Sequence, residues 1–381
     1  MHLGALTYYY LPVVNGVTLT IADWKREAEK HGVGYTVFTS QIDQPLSRDP
    51  SVVEFPAVPL HRKMGITVPF FPLNFLEQEM RRKKIDLIHV HHPFVIGDYA
   101  LTLGQKLKIP VIFTYHTRYE QYPHLYLPFL PKRFVNYLVF RSLVRFMNRC
   151  QAVTVALPSL KQELIRRGVK APIYPVPIGI DTRRFSLGKR AQTRRQLGLS
   201  ESEIVLLGTG RLMREKNWEF LLRAFKLLAP KNKQVRLVIV GSGPYFAKLL
   251  ELVDKWHLQK KVQFVTGIQA LKMPDYYAAG DIYVNASLTE TFGRVFVEAM
   301  AAGLPVVAFA TPPSQDLLEH GVSGILIKQR RVKEFVGKLE ELIKDPSQRK
   351  LIGLAAQGRA QELFDLEKSW QSLEKVYRTM V

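Results

Sequence analysis

Runs of β-branched and aliphatic residues alternate with amphipathic stretches along the whole chain, a pattern that predicts parallel sheets wrapped by helices. The first set of predicted strands is Leu3–Tyr8, Tyr35–Thr39, Leu87–His91, Val111–Tyr115, Ala152–Ala156 and Ile173–Val176. A second set follows at Ile204–Gly208, Arg236–Val240, Val262–Val265, Ile282–Asn285, Val306–Phe309 and Gly324–Ile327. Between them, Pro175-Val-Pro-Ile-Gly-Ile-Asp-Thr-Arg-Arg-Phe-Ser186 interrupts any period with two prolines and a glycine, which makes it the candidate linker. The expected fold class is therefore α/β: two doubly wound, Rossmann-like parallel-sheet domains whose strand ends face a central cleft.

At 381 residues the chain is long enough for two domains, each with its own core. A hydrophobic content of 47% with 23% charged residues is that of a soluble globular protein. The formal charge of +21 changes the picture, because it asks for an anionic partner: nucleic acid, an acidic membrane surface or a charged substrate. Cys150 stands alone, which excludes an intramolecular disulfide and a cysteine-rich zinc site and suggests a reducing cytoplasm. Neither a signal peptide nor a run of about 18 apolar residues is visible, so any membrane contact is expected from one side.

Candidate chemistry concentrates after Ile282–Asn285. Ser287 to Phe292 reads as a loop and Gly293 to Ala302 as a helix ended by Gly303 and Pro305, with Glu290 in the loop and Glu298 inside the helix, eight positions later. A helix start offers unpaired N–H groups and partial positive charge, so a diphosphate fits between two carboxylates that take hydroxyl groups on either side. The plain alternative is two acids that merely suit the helix. Upstream, Gly208-Thr-Gly210-Arg211-Leu-Met-Arg-Glu-Lys216-Asn217 follows a strand and sets two cations where the chain turns. Without a third glycine this is a weak dinucleotide signal, and a turn with solvated charges is its alternative. His89-Val-His91-His92 places His89 and His91 on one strand face, but no carboxylate or cysteine lies at metal-motif spacing, and the Gly241-Ser-Gly243-Pro244 turn reads as structural.

Glu290, Phe292-Gly293, Glu298-Ala-Met-Ala and Gly303-Leu-Pro-Val-Val-Ala308 together resemble the Glu-x7-Glu signature of the retaining glycosyltransferases of GT-B fold known as family GT4. The resemblance spans nearly the whole chain, with Gly16, His116, Arg211 and Lys216 in order. It implies that Arg211 and Lys216 stabilise a departing nucleoside diphosphate, that Glu290 binds donor-sugar hydroxyls beside the N–H groups of Thr291, Phe292 and Gly293, and that Glu298 takes the ribose. It also implies that Gly16, in an Asn-Gly pair otherwise read as a turn, lets its loop approach the donor phosphates. His116, at a strand end, matches the family's active-site histidine. The implied catalytic set is His116, Arg211, Lys216 and Glu290, with no metal and no cofactor beyond the nucleotide sugar. Domains are expected at 1–177 for the acceptor side and 178–364 for the donor side, with a helix over 365–381 crossing back to the first.

From Gln121 to Gln162 there is no acid, while Lys132, Arg133, Arg141, Arg145, Arg149 and Lys161 are cationic. Arg141, Arg145 and Arg149 recur at intervals of four, with Val139, Phe140, Leu143, Phe146 and Met147 on the other side. That apolar side either lies in an anionic bilayer interface or is the domain core beneath solvated arginines. Tyr119, Tyr122, Tyr126 and Phe129 precede it, and the tyrosine-rich loop after His116-Thr117 resembles the GT4 subgroup that glycosylates diacylglycerol. The favoured expectation is transfer of glucose from UDP-glucose to diacylglycerol as an α-glycoside, by an enzyme peripheral to the inner face of the cell membrane. A mannosyl- or galactosyltransferase with a phosphoinositide, polyprenyl or soluble sugar acceptor is the alternative within the class. A nucleic-acid binder is the alternative outside it, without a helix-turn-helix or RNP-like motif in its favour. Phe309-Ala-Thr-Pro-Pro-Ser-Gln-Asp316 stands where many family members carry Gly-Gly-x-x-Glu, which leaves the sugar open.

Overall fold

A computed structural model describes residues 1–40, 49–61, 66–69, 72–119 and 131–381. The first half runs β1 (His2–Thr7), α1 (Gly16–Lys30), β2 (Gly34–Ser40), β3 (Val52–Phe55), β4 (Ala57–His61), β5 (Ile66–Pro69) and α2 (Pro72–Arg82). It continues β6 (Leu87–Val90), α3 (Val95–Leu107), β7 (Val111–Thr114), α4 (Lys132–Met147), β8 (Ala152–Val155), α5 (Pro158–Arg166) and β9 (Ile173–Pro175). The second half runs α6 (Thr182–Ser186), α7 (Arg190–Gln196), β10 (Ile204–Thr209), α8 (Trp218–Leu228), β11 (Val235–Val240), α9 (Phe246–Lys255), β12 (Val262–Val265) and α10 (Met273–Ala279). It closes with β13 (Ile282–Asn285), α11 (Arg294–Ala301), β14 (Val306–Phe309), α12 (Pro312–Leu317), β15 (Gly324–Ile327), α13 (Val332–Lys344), α14 (Pro346–Leu363) and α15 (Leu366–Arg378).

Two compact units result, one of Met1–Gly179 with Leu366–Val381 and one of Ile180–Asp365. In the first, seven parallel strands lie in the order β3-β2-β1-β6-β7-β8-β9; in the second, six lie in the order β12-β11-β10-β13-β14-β15. The order reverses between β1 and β6 and again between β10 and β13, so loops leaving those strands part and open a crevice at their carboxyl ends. The strands at these points are buried on both faces, which is why they read as continuous apolar runs. Three strands carry no sequence expectation: the edge strand β3, and the β4–β5 antiparallel pair.

The core of the second unit joins Leu221, Leu222 and Phe225 of α8 to Ile239, Val284 and Val307 of the sheet and to Phe335 and Leu339 of α13. In the first unit α15 packs on α1: Trp370 and Tyr377 are fully buried, and the Trp24 indole N–H donates to Ser369 Oγ at 3.3 Å. The Ser369 hydroxyl donates in turn to the Pro177 carbonyl at 2.6 Å.

Asn15-Gly16 is not a turn. Asn15 caps α1, its side chain accepting from the N–H groups of Val17 and Thr18, and Gly16 is the first helical residue. On α4 the structure decides between the two alternatives in favour of the core. Phe140, Leu143, Phe146 and Met147 are buried in the core, Phe146 edge-on to Phe113 with ring centroids 5.1 Å apart. A helix that covers a sheet must spend its broadest apolar stripe on it, so that side does not face a bilayer. Arg149 lies past the end of α4 and meets Asp98 at 3.5 Å, so it does not continue the cationic stripe.

Candidate active site

The second unit's crevice is built from the loops after β10 and β13. The chain leaves β10 through Gly210, at φ +138°, and passes a single 3-10 turn at Arg214–Lys216 that ends on Asn217 in the left-handed region. The Asn217 amide donates to the Ala286 carbonyl at 3.1 Å, tying this loop to the end of β13. Gly241 is needed here for packing, since a Cβ on it would stand 1.9 Å from the Gly210 carbonyl oxygen.

This lacing places Lys216 Nζ 2.7 Å from Glu290 Oε1. Burial pushes the Glu290 carboxyl up, but the Lys216 charge and hydrogen bond, helped by Ser287 and Arg211, outweigh it and hold the group below its ordinary value. Arg211 is exposed and has no ion-pair partner among the described residues, though its backbone carbonyl accepts the Trp218 indole N–H at 3.0 Å. The loop therefore holds Lys216 in a pair and leaves Arg211 available.

Helix α11 starts on Gly293 at φ +87°, where a Cβ would lie 2.4 Å from the Phe296 ring. No side chain caps that start, and of its first turn the Phe296 N–H donates to the Gly293 carbonyl at 2.8 Å; such a start carries the partial positive charge that suits an anion. Thr291 is half-buried, while Phe292 is a core residue whose ring meets Phe364 at 5.9 Å. Glu298 is buried on the same helix. Its Oε1 accepts from Arg294 Nε at 3.1 Å, and its Oε2 from the Tyr277 hydroxyl at 2.8 Å. Tyr277 has one proton to give, and with Glu298 taking it, Tyr277 accepts from Thr209 Oγ1, 2.6 Å away. Burial, then the Glu298 charge, drives the Tyr277 phenol well above its ordinary value and keeps it a donor.

The first unit gathers a different set at the ends of β1, β6 and β7. His116 lies two residues past β7, half-buried, with its Nε2 3.0 Å from Nδ1 of the fully buried His91. His89 has both ring nitrogens occupied, Nδ1 with the Tyr377 hydroxyl of α15 at 2.6 Å and Nε2 with Thr114 Oγ1 at 2.5 Å. The Trp24 ring lies 5.7 Å from His89 and 6.1 Å from His116. Desolvation lowers all of these imidazoles, with His89 and His92 each falling to about 3.

Around them stand aromatic residues that the sequence reading did not single out. Tyr8 and Tyr9 meet His92 at 5.2 and 5.6 Å. Phe94, in the unusual conformation φ 64°, ψ −131°, sets its ring edge-on to Tyr119 at 5.7 Å. The Tyr119 hydroxyl approaches the His91 carbonyl at 3.4 Å. Gly16 is exposed, and a Cβ there would meet nothing within 4 Å.

On α4, Arg133, Arg141 and Arg145 are exposed and have no ion-pair partner among the described residues. The apolar side chains that share solvent with them are Phe134, Tyr137 and Leu138, at 56%, 60% and 45% exposure. Tyr122 lies outside the described residues, as does the Lys132 side chain. Among the described residues no helix is long and apolar enough to cross a membrane.

Comparison with known proteins places the chain in a family. The family described as "Glycosyl transferases group 1" matches residues 189–359, and "Glycosyltransferase Family 4" matches residues 14–184. The chain is 30% identical to an alpha-monoglucosyldiacylglycerol synthase of Streptococcus pneumoniae, over 86% of this chain and 75% of that one. It is 28% identical to the protein of that name from Acholeplasma laidlawii, over 90% and 87%. Among solved structures, Anabaena HepE in complex with UDP-glucose superposes with a TM-score of 0.81 at 21% identity, covering 100% of both chains, a likeness of GT-B fold.

Proposed function

Because this chain belongs to the family 4 glycosyltransferases, we propose that its second unit holds a nucleotide sugar and that the enzyme transfers the hexose, with retention of configuration, to a membrane lipid. The observation that carries the reading is the set around α11: an uncapped helix start, an available Arg211, and two carboxylates already held by other side chains. The diphosphate lies at the start of α11, facing Arg211 and Lys216. As the sugar–phosphate bond breaks, charge accumulates on the diphosphate, and cations fixed in advance stabilise that state more than the ground state. The neutralising charge comes from these two side chains and the helix, so no metal is invoked.

Glu298 takes the ribose. The contacts from Arg294 and Tyr277 fix the orientation of its carboxylate, which, being an acceptor only, suits hydroxyl donors. Glu290 takes sugar hydroxyls while it holds Lys216 in place for the phosphate. His116 is assigned to substrate contact from the first unit, and no carboxylate is nominated as a covalent nucleophile.

The donor is assigned as UDP-glucose and the acceptor as diacylglycerol, giving an α-glycoside. Support for the lipid comes from the names of the two synthases and from the exposed face of α4, where Phe134, Tyr137 and Leu138 adjoin Arg133, Arg141 and Arg145. On an anionic bilayer each such cation contributes about 1 kcal/mol. Labelled UDP-glucose, UDP-galactose and GDP-mannose, each offered with diacylglycerol in anionic and in neutral vesicles, test this. Label is expected in the lipid phase from UDP-glucose alone, and faster with anionic vesicles. Transfer only to soluble sugars removes the lipid acceptor, and equal binding to both vesicle types at low salt removes electrostatic docking.

A further inference from the structure

We propose that His91 is a positioning residue that holds His116 in its Nδ1–H tautomer, so that His116 meets substrate as a hydrogen-bond donor and not as a proton acceptor. Only the identity of what His116 meets rests on the glycosyltransferase reading.

The argument begins with the single proton between His91 Nδ1 and His116 Nε2, which lie 3.0 Å apart. Were His116 to donate it, His91 would carry its own proton on Nε2. That atom is buried and has no hydrogen-bond partner among the described residues, so the result would be an orphaned N–H. Were His91 to donate, its Nε2 would be a bare lone pair with no proton to satisfy. Among backbone groups a buried orphan N–H is rarer than an under-satisfied acceptor, and the same asymmetry carried to these rings favours the second arrangement. His116 Nε2 is then the acceptor, and the ring's one proton lies on Nδ1, for which no partner occurs among the described residues.

A doubly protonated ring would escape this choice, but the surroundings oppose it. His91 is fully buried, its ring lies 4.2 Å from His89 and 6.0 Å from Trp24, and no carboxylate among the described residues hydrogen-bonds it. Desolvation and the neighbouring imidazoles hold both His91 and His116 neutral. The adjacent His92 supplies an internal contrast. Its Nδ1 accepts the Tyr8 backbone N–H at 3.3 Å, so its proton must lie on Nε2. His89 faces hydroxyls at both nitrogens, and those can give or take.

Selective 15N-histidine labelling of the full chain, read by long-range 1H–15N correlation, tests the tautomers directly. His116 is expected to show a protonated Nδ1 and bare Nε2, with His92 reversed, the signals being assigned by their loss in His116→Asn and His92→Asn. A protonated Nε2 on His116 in the wild-type protein overturns the proposal. His91→Asn keeps an amide N–H near the place of Nδ1 and is expected to preserve both the His116 pattern and transfer within about threefold. His91→Leu removes the donor and is expected to mix the tautomers and lower transfer about tenfold, the scale of one hydrogen bond. Equal losses in the two variants with unchanged thermal midpoints refute a positioning role. If His91→Leu does not fold, the wild-type spectrum and His91→Asn still decide. A wild-type Nδ1–H signal without turnover of any nucleotide sugar would remove the functional reading and leave the tautomer standing.

Discussion

At the ends of β10 and β13 the second unit sets Lys216 against Glu290 and Arg294 against Glu298, charge on charge. At the ends of β1, β6 and β7 the first unit sets His91 against His116 and His89 against Tyr377, with every group neutral. Both places sit where a parallel sheet reverses its strand order, so topology alone does not decide what a crevice is for. The difference lies in what each asks of its ligand: the charged crevice suits a part that carries and gains charge, while the imidazole cluster offers directed hydrogen bonds without a field. One is sensitive to loss of a cation, the other to loss of geometry or a fall in pH.

Removing a cation should have the largest effect. Arg211→Ala is expected to lower sugar transfer about 100- to 1000-fold, the scale of losing one preorganised contact to developing charge. Because Arg211 is exposed and unpaired among the described residues, the melting temperature should stay within about 2 °C. Unaltered initial rates would break the assignment of the charged crevice.

Acidification should separate the two regions next. Glu290 is held below its ordinary 4.5, so its contribution to stability is present above that value and lost only as pH falls through its lower folded value. The imidazoles behave differently. Between their ordinary 6.5 and the folded value of about 3 for His89 and His92, the unfolded chain binds protons that the folded one excludes. Stability must then fall as pH drops below 6.5, by up to about 1.4 kcal/mol per pH unit for each such imidazole. Urea midpoints measured from pH 7 to 5 should show this decline before any carboxylate titrates. A flat profile would show that the cluster is wet.

The smallest effect sharpens the charged side. Tyr277→Phe deletes one donor to Glu298 and should weaken UDP binding by about tenfold in calorimetry, the size of one hydrogen bond to a charged group. Wild-type affinity would mean that Arg294 alone orients the carboxylate.

The sequence makes the charged crevice far more legible than the neutral one, for a physical reason. Glu290, Gly293 and Glu298 act through a local helix start, so their spacing survives in one dimension, and Arg294 at four residues before Glu298 could have been added by the same rule. Tyr277 could not, since its hydroxyl reaches Glu298 from another helix. The His89–Tyr377 contact joins residues 288 apart, and no local pattern records it. The central strands were legible because both their faces are apolar, whereas β3 pairs on one side only and has the alternating burial of an edge. On α4 the helical period is legible, but the sequence leaves open whether its apolar side meets the sheet or a bilayer. The denser set covers the sheet, and the exposed set is the shorter Phe134, Tyr137 and Leu138.

Helix α15 gives the molecule an order in time. Domains commonly fold in the order of their synthesis. Here residues 180–365, the whole of the second unit, are synthesised before the segment that covers Trp24 and reaches His89. The domain begun first is therefore completed last. Until Trp370 and Tyr377 arrive, the nascent first unit lacks one wall of its core, and its histidines wait without the hydroxyl that holds His89 in place.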